Sequence, residues 1–241
     1  PLSSAVRAEF GDRAGARAAL DGLATVLMVS ASETPDRPAR HEAFVDAAAE
    51  AGVSHLVYVS FHGAAPDCTF TLGRDHWATE QHIRASGMAF TFLRDNFYAD
   101  FMPALVGDDG VLRGPAGTGR VAAVAQDDIA GAATAVLRDP AAHAGRTYAM
   151  TGPQALTLEE VAAILTTELN RPVSYHAETA EEAYASRARY GAPRWQVDAW
   201  VSTYTAIAAG EVAEVSDDIA KLTGHPATSL TDLLRRGGSA Y

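Results

Sequence analysis

Three apolar runs limit what this chain can fold into: Val26-Leu-Met-Val29, His55-Leu-Val-Tyr-Val-Ser60 and Ala89-Phe-Thr-Phe-Leu-Arg94. Their apolar residues are nearly continuous, not strictly alternating, which is the pattern of strands covered on both faces. Helical stretches separate them. Pro38 opens one that carries Phe44, Val45 and Ala48 on a single face, and Gly52 stops it. A second spans about Arg74 to Ala85 and ends before Gly87. Short connections in a β-α-β-α-β order favour parallel strands joined by right-handed crossovers. Upstream, Ala5–Glu9 reads as a further strand, and Asp12 caps a helix to about Leu20 that turns Ala16, Leu20 and Leu23 inward. The expected fold is a doubly wound α/β parallel sheet, with strands near Ala5–Glu9, Val26–Ser30, Leu56–Ser60 and Phe90–Arg94.

That pattern is the second half of a nucleotide-binding domain. The usual opening, a strand, a G-x-x-G-x-x-G loop and a helix, is not in the sequence, whose first residue is Pro1 and not Met. The chain therefore reads as an N-terminally trimmed copy of a larger protein. An exposed sheet edge, a tendency to associate and weakened ligand affinity are the expected consequences.

After Asn96 the texture changes. Gly107 to Gly119 is glycine-rich and Val121-Ala-Ala-Val124 follows as a short strand. Asp127 or Asp128 is expected to cap a helix from about Ile129 to Leu137, and Arg146–Met150 reads as a short strand. Thr157-Leu-Glu-Glu160 and Thr179-Ala-Glu-Glu182 are capping boxes. A helix is expected from Trp195 to Ala209, and Ser229-Leu-Thr-Asp232 opens a last one. The division drawn is residues 1–150 for the main domain and 151–241 for a small, mainly helical α/β domain, with Gly107–Val124 contributing to the second.

Composition narrows the function. A net charge of −11 argues against a general nucleic-acid-binding surface. Cys68 is the single cysteine, so no intrachain disulfide can form. No apolar run approaches the ~18 residues of a membrane span. These features fit a cytoplasmic protein acting on a small molecule, without nucleic acid or membrane as partner; a homo-oligomer stays open.

Several residues are candidates for chemistry. Gly114-Pro-Ala-Gly117-Thr-Gly119 lacks the Gly-Lys-Ser/Thr ending of a phosphate loop and precedes a strand, so a surface turn is the better reading. The Tyr-x-x-x-Lys pair of ordinary short-chain dehydrogenases is absent, and Lys221 is the sole lysine. His76 and Glu80 lie four apart on one helix, where a carboxylate could orient a neutral imidazole to donate a proton. Equally, Glu80 could pair with Arg84 and leave His76 on a solvated face. Metal binding is disfavoured, because no third ligand is suggested. Ser60 ends a strand at the edge where parallel sheets bind ligands, as a donor or as a turn cap. No Gly-x-Ser-x-Gly elbow supports a nucleophilic serine. Arg94-Asp-Asn-Phe-Tyr98 can wall a pocket for a flat ring, or can be an Arg-Asp ion pair with aromatic packing.

Taken together, Val26-Leu-Met-Val-Ser-Ala-Ser-Glu33, Ala51-Gly-Val-Ser-His-Leu-Val-Tyr-Val-Ser60, His76-Trp-Ala-Thr-Glu80, Thr91-Phe-Leu-Arg-Asp-Asn-Phe-Tyr98 and Asp127-Asp-Ile-Ala130 resemble the NmrA-like branch of atypical short-chain dehydrogenases. Within it, the chain is most similar to bacterial NAD(P)H:quinone oxidoreductases of type 2. Leu222-Thr-Gly-His-Pro226 and Ser229-Leu-Thr-Asp-Leu233 extend the match to nearly the whole chain. The resemblance implies a Rossmann-type domain binding NADPH or NADH, with NADP ahead of NAD, and a C-terminal substrate domain. It places Glu9 and Phe10 beside the adenine, and Ser30, Ala31 and Ser32 along the ribose and pyrophosphate. Ser60 and Phe61 fall near the nicotinamide. His76 takes a helix position held by lysine in related reductases. Asn96, Phe97 and Tyr98 wall the nicotinamide and substrate side. The implied activity is two-electron hydride transfer to a quinone, with His76, Ser60 and Tyr98 as catalytic candidates. The family also contains non-catalytic dinucleotide-binding redox sensors, which are the alternative. A sugar- or isoflavonoid-type reductase ranks third, for want of the usual lysine.

Overall fold

A computed structural model describes residues 5–237. Its elements are α1 (Arg13–Leu20), β1 (Thr25–Val29), α2 (Arg37–Glu50), β2 (His55–Phe61), α3 (Thr71–Ala85) and β3 (Ala89–Asp95). Then follow β4 (Val111–Gly114), β5 (Arg120–Val121), α4 (Gln126–Arg138), β6 (Arg146–Met150), β7 (Leu156–Thr157) and α5 (Leu158–Glu168). The chain continues through β8 (Ser174–Ala177), α6 (Ala180–Arg187), α7 (Arg194–Ala208), α8 (Asp218–Thr223) and α9 (Leu230–Arg236).

The central sheet has the order β1-β2-β3-β6, and every pairing is parallel. All seven residues of β2 are buried, as its unbroken apolar run requires. On one face Met28, Leu56, Tyr58 and Phe92 pack against Leu20 of α1, Val45 and Ala48 of α2 and Ile83 of α3. On the other, Val57, Val59 and Leu93 meet Ile129, Ala132 and Val136 of α4 and Ile219 of α8. Each of the Val, Leu, Ile, Met and Phe side chains among them contributes about 1.5–3 kcal/mol when fully removed from water.

A second body of structure joins the middle of the chain to its end. β4 pairs in parallel with β8, and β5 pairs antiparallel with β7. Leu112, Val121, Leu158, Leu165, Tyr204 and Ile207 fill the space between these short strands and α5 and α7. Gly114 is obligatory here, because a Cβ would enter the Tyr204 ring. The Gly114–Gly119 segment is indeed a turn, but Gly114, Pro115 and Ala116 are buried in it and not on the surface.

Several expectations are corrected. Leu23 faces outward and is about half exposed, and β1 is covered on one face only, with Leu27 and Val29 exposed on the other. Ala5–Glu9 is not a strand: it lies exposed, with no ladder to any described strand, although its sequence has strand character. A ladder needs a partner edge, and the only described neighbour of β1 is β2. Nor does Asp127 or Asp128 cap α4, which begins after Ala125. Asp128 is instead buried within the first turn, where its carboxylate accepts from the Thr228 backbone at 2.6 Å and hydroxyl at 3.0 Å. That ties α4 to the segment preceding α9.

Candidate functional site

The carboxyl ends of β1, β2 and β3 bring the candidate residues to one edge of the sheet, where open parallel sheets bind ligands. Beyond β1, Ser30, Ala31, Ser32 and Thr34 line a groove of about 310 Å³ together with Ala8, Glu9, Phe10 and Arg40. The five residues expected to flank a dinucleotide here, Glu9, Phe10, Ser30, Ala31 and Ser32, thus meet around one space. Phe10 is set by packing on Phe44, 4.8 Å between ring centres. Thr34 Oγ1 is buried on this wall with no hydrogen-bond partner. Asp36, two residues on, is held below its ordinary carboxyl value by the Thr34 side chain and then by Arg40, whose Nε donates to Asp36 Oδ2 at 2.9 Å. An unpaired buried hydroxyl costs roughly 1–3 kcal/mol, so the groove wall offers an unmet polar atom to a ligand.

His76 is buried, and its surroundings differ from both expected readings. Arg37, buried on the first turn of α2, donates from Nη2 to His76 Nε2 at 3.1 Å. A guanidinium has no acceptor, so Nε2 carries the lone pair and Nδ1–H faces the Tyr58 hydroxyl at 2.9 Å. Burial, and then the Arg37 charge, hold the His76 pKa well below its usual value. Both ring nitrogens are used inside the fold. Glu80 neither orients His76 nor pairs with Arg84. It is fully buried, accepting from Arg94 Nε at 2.8 Å and Nη2 at 2.7 Å, and from the Ser60 hydroxyl at 2.6 Å. Helix α3 turns His76 and Glu80 to the same side, as their spacing requires, but each finds its own partner on the sheet.

Ser60 is therefore committed to Glu80 and does not cap a turn. Phe61 packs on Phe70 and Phe97, 4.7 and 5.1 Å between centres, and lies 6.1 Å from the His76 ring. Asn96 donates to Val212 O at 3.0 Å, and its Oδ1 accepts from Phe97 N at 2.8 Å. Phe97 joins the Phe61 and Phe70 cluster, whereas Tyr98 packs with Val124 and Ile129 on the other side. The two aromatics do not make a single wall. Nor do Arg94 and Asp95 form an ion pair: alternation along β3 sends Arg94 toward Glu80 and Asp95 to the opposite face. There the Tyr98 hydroxyl donates to Asp95 Oδ2 at 2.6 Å. Burial pushes the Asp95 carboxyl up to about 7 against the lowering effect of that bond. The Tyr98 phenol is itself held above its ordinary value, by burial and then by Asp95.

Sequence reasoning missed Thr34, Arg37, Arg40, His41 and Tyr58. The available signal was position: Arg37 and His41 lie one helical turn apart, directly after the Ser30–Glu33 segment. Among the described residues no group of His, Cys, Asp and Glu is arranged to hold a metal ion, and no helix is long and apolar enough to cross a membrane.

Comparison with known proteins agrees with this architecture. The NmrA-like family model matches residues 4–197. The chain is 34% identical to the NAD(P)H azoreductase of Xenophilus azovorans over 93% of its own length and 79% of the relative's. It is 31% identical to quinone oxidoreductase 2 of Escherichia coli, over 94% of this chain and 79% of that one. The crystal structure of the E. coli NADPH-dependent quinone oxidoreductase QOR2 in complex with NADPH superimposes with a TM-score of 0.87 at 30% identity, covering 97% of this chain and 83% of that one. With its parallel Rossmann-type sheet and its family match over most of its length, the chain belongs to the NmrA-like family.

Proposed function

We propose that this protein is an NAD(P)H-dependent oxidoreductase that delivers a hydride to a quinone-like acceptor. The observation that carries the reading is the groove beyond β1, where Ser30, Ala31, Ser32, Glu9 and Phe10 converge beside the orphaned Thr34 hydroxyl. Its polar and aromatic lining fits a ribose and a flat ring. Arg40 on the same wall favours NADPH over NADH, because a guanidinium suits the additional phosphate. The names of the relatives, an NAD(P)H azoreductase and a quinone oxidoreductase, support the reaction class.

Bound NADPH supplies the hydride; reduction of a quinone also takes one proton, which the protein or solvent provides. Direct hydride transfer depends on holding two flat rings face to face, so orientation outweighs acid-base chemistry and the missing Tyr-Lys pair is tolerable. Phe61 and Phe97 supply apolar ring surface on one side of the strand ends. On the other side the Tyr98 hydroxyl rests on Asp95 Oδ2, and burial raises the Asp95 carboxyl. When Asp95 carries the proton it can donate to Tyr98 Oη, which frees the Tyr98 O–H for the developing oxyanion, and we assign Tyr98 that role. Ser60 and His76 hold the strands and the first turn of α2 in place. The body formed by residues 151–241 with the Gly107–Val124 segment is assigned to the acceptor side.

The test is NADPH consumption by the purified protein with a panel of quinones and an azo dye. Quinone-dependent turnover supports the reading. Tight NADPH binding without turnover on any acceptor replaces it with the sensor alternative.

A further inference from the structure

Arg37 and His41 are buried polar residues that the reaction proposed above does not use, and both reach the same backbone unit. Ala31 N–H donates to His41 Nε2 at 2.9 Å, and Ala31 C=O accepts from Arg37 Nε at 2.9 Å. Because Nε2 is an acceptor, Nδ1 carries the proton and donates to Thr79 Oγ1 at 2.8 Å; that hydroxyl in turn donates to Asp75 O at 2.8 Å. His41 is therefore one fixed tautomer, anchored to α3 and fully buried. Arg37 is anchored as well, to His76 Nε2 at 3.1 Å and to the Asp75 carboxylate at 3.5 Å.

The two bonds fix two consecutive peptide planes. The Ala31 N–H shares its plane with Ser30 C=O, and the Ala31 C=O shares its plane with Ser32 N–H. In a trans peptide the C=O and N–H point in opposite directions, and no described peptide is cis. Pulling the Ala31 groups toward α2 therefore turns Ser30 C=O and Ser32 N–H away from it. Both belong to residues lining the groove, and among the described residues no turn or loop bond takes either one. The result is an acceptor and a donor held side by side on a rigid segment, the pairing that a ribose hydroxyl uses.

We propose that Arg37 and His41 are positioning residues that clamp Ala31 so that the Ser30 carbonyl and Ser32 amide face the dinucleotide. The inference rests on the reading that the groove binds NAD(P)H. It also explains why His41 is a histidine: the position needs an acceptor toward Ala31 and a donor toward Thr79 in one rigid ring. Protonation would set a second N–H against Ala31 N–H. Burial, and then Arg37, lower the His41 pKa to about 3, so the ring stays neutral through the working range.

The experiment is fluorescence titration of NADPH into wild type, His41→Gln and His41→Asn, with thermal melts and amide hydrogen exchange at Ala31 in parallel. The glutamine side-chain oxygen reaches the place of Nε2 and keeps the bond to Ala31. Asparagine reaches only the place of Nδ1 and loses it. We expect His41→Asn to weaken NADPH binding about 3- to 10-fold, the effect of one lost hydrogen bond, and His41→Gln to restore most of it. Ala31 exchange should speed up in the asparagine variant alone, with comparable losses of melting temperature in both. If His41→Asn does not fold, Arg37→Lys, which cannot span Ala31 O and His76 together, is expected to show the same weakening. Equal affinity in wild type and the variants, or equal weakening in asparagine and glutamine, overturns the clamp. A wild-type protein that binds no NADPH overturns the groove reading itself, even if Ala31 exchange still follows His41.

Discussion

Arg94 grips the fully buried Glu80 carboxylate through two parallel hydrogen bonds, of 2.8 and 2.7 Å. The bond joins α3 to β3 across the sheet face, and the Ser60 hydroxyl closes it from β2. Removing one partner leaves a charge in the interior. Arg94→Ala is expected to cost about 3–5 kcal/mol in urea unfolding, and Glu80→Gln less, because a neutral amide needs no counter-charge. A loss below about 1 kcal/mol for Arg94→Ala would mean that Glu80 finds water or another cation.

Asp95 gives a pH signature of stability. Its carboxyl is raised by burial from the model-peptide value of 3.8 to about 7, so between those values the folded state holds a proton that the unfolded chain has lost. Stability from this group is therefore fully present at low pH and is lost as pH rises toward and through 7. Asp95→Asn removes the titration while leaving Tyr98 an acceptor. The stability difference between variant and wild type should grow in the variant's favour by roughly 2–4 kcal/mol from pH 4 to pH 8. A difference that is flat with pH, or that runs the other way, contradicts a raised Asp95.

Buried histidines act with the opposite sign. His41, lowered to about 3, and His76, lowered well below its usual value, must each take up a proton on unfolding below about pH 6.5. Their contribution is present above that pH and is lost as pH falls. Acid unfolding of His76→Phe should show a weaker pH dependence between pH 6 and pH 4 than that of wild type. Identical slopes would place the His76 titration elsewhere.

Tyr98 and His76 should separate cleanly in kinetics. Tyr98→Phe removes the hydroxyl assigned to the oxyanion and is expected to lower kcat by about 2–4 kcal/mol of transition-state stabilisation, with little change in KM for NADPH. His76→Gln, whose ring nitrogens are both engaged by Arg37 and Tyr58, should lose stability without that fall in kcat. The reverse pattern would return the proton-donor role to His76.

The sheet was legible because β2 is buried along its whole length and β3 through its middle, where nothing but an apolar run survives; β1 carries the same kind of run although Leu27 and Val29 are exposed. Hydrophobic runs say little about partners, and so Ala5–Glu9 misleads: it has strand residues and no ladder. The pairings of β4 with β8 and β5 with β7 could not be read at all. They involve two to four residues each and join positions roughly 35 to 65 apart, a separation that no local pattern encodes.

The site was legible as a place and less so as a set of bonds. Ser30, Ala31 and Ser32 were named by the family resemblance, and their place just past β1 agrees with the rule that ligands meet the carboxyl ends of parallel strands. The partners of Glu80, His76 and Asp95 do not follow, because helix spacing offers Arg84 to Glu80 as readily as the fold offers Arg94. Arg37 and His41 sit in Arg-Pro-Ala-Arg-His, where the one local signal is Pro38 as a helix start. Only the approach of α3, carrying Asp75, His76 and Thr79, makes that turn an interior.

The most direct measurement of the central claim is the stoichiometry of NADPH oxidation by the purified protein in the presence of a quinone. The account predicts saturable consumption, with one hydroquinone formed for each NADPH lost, and a rate that falls in Tyr98→Phe. Tight NADPH binding with no hydroquinone formed on any acceptor would contradict it.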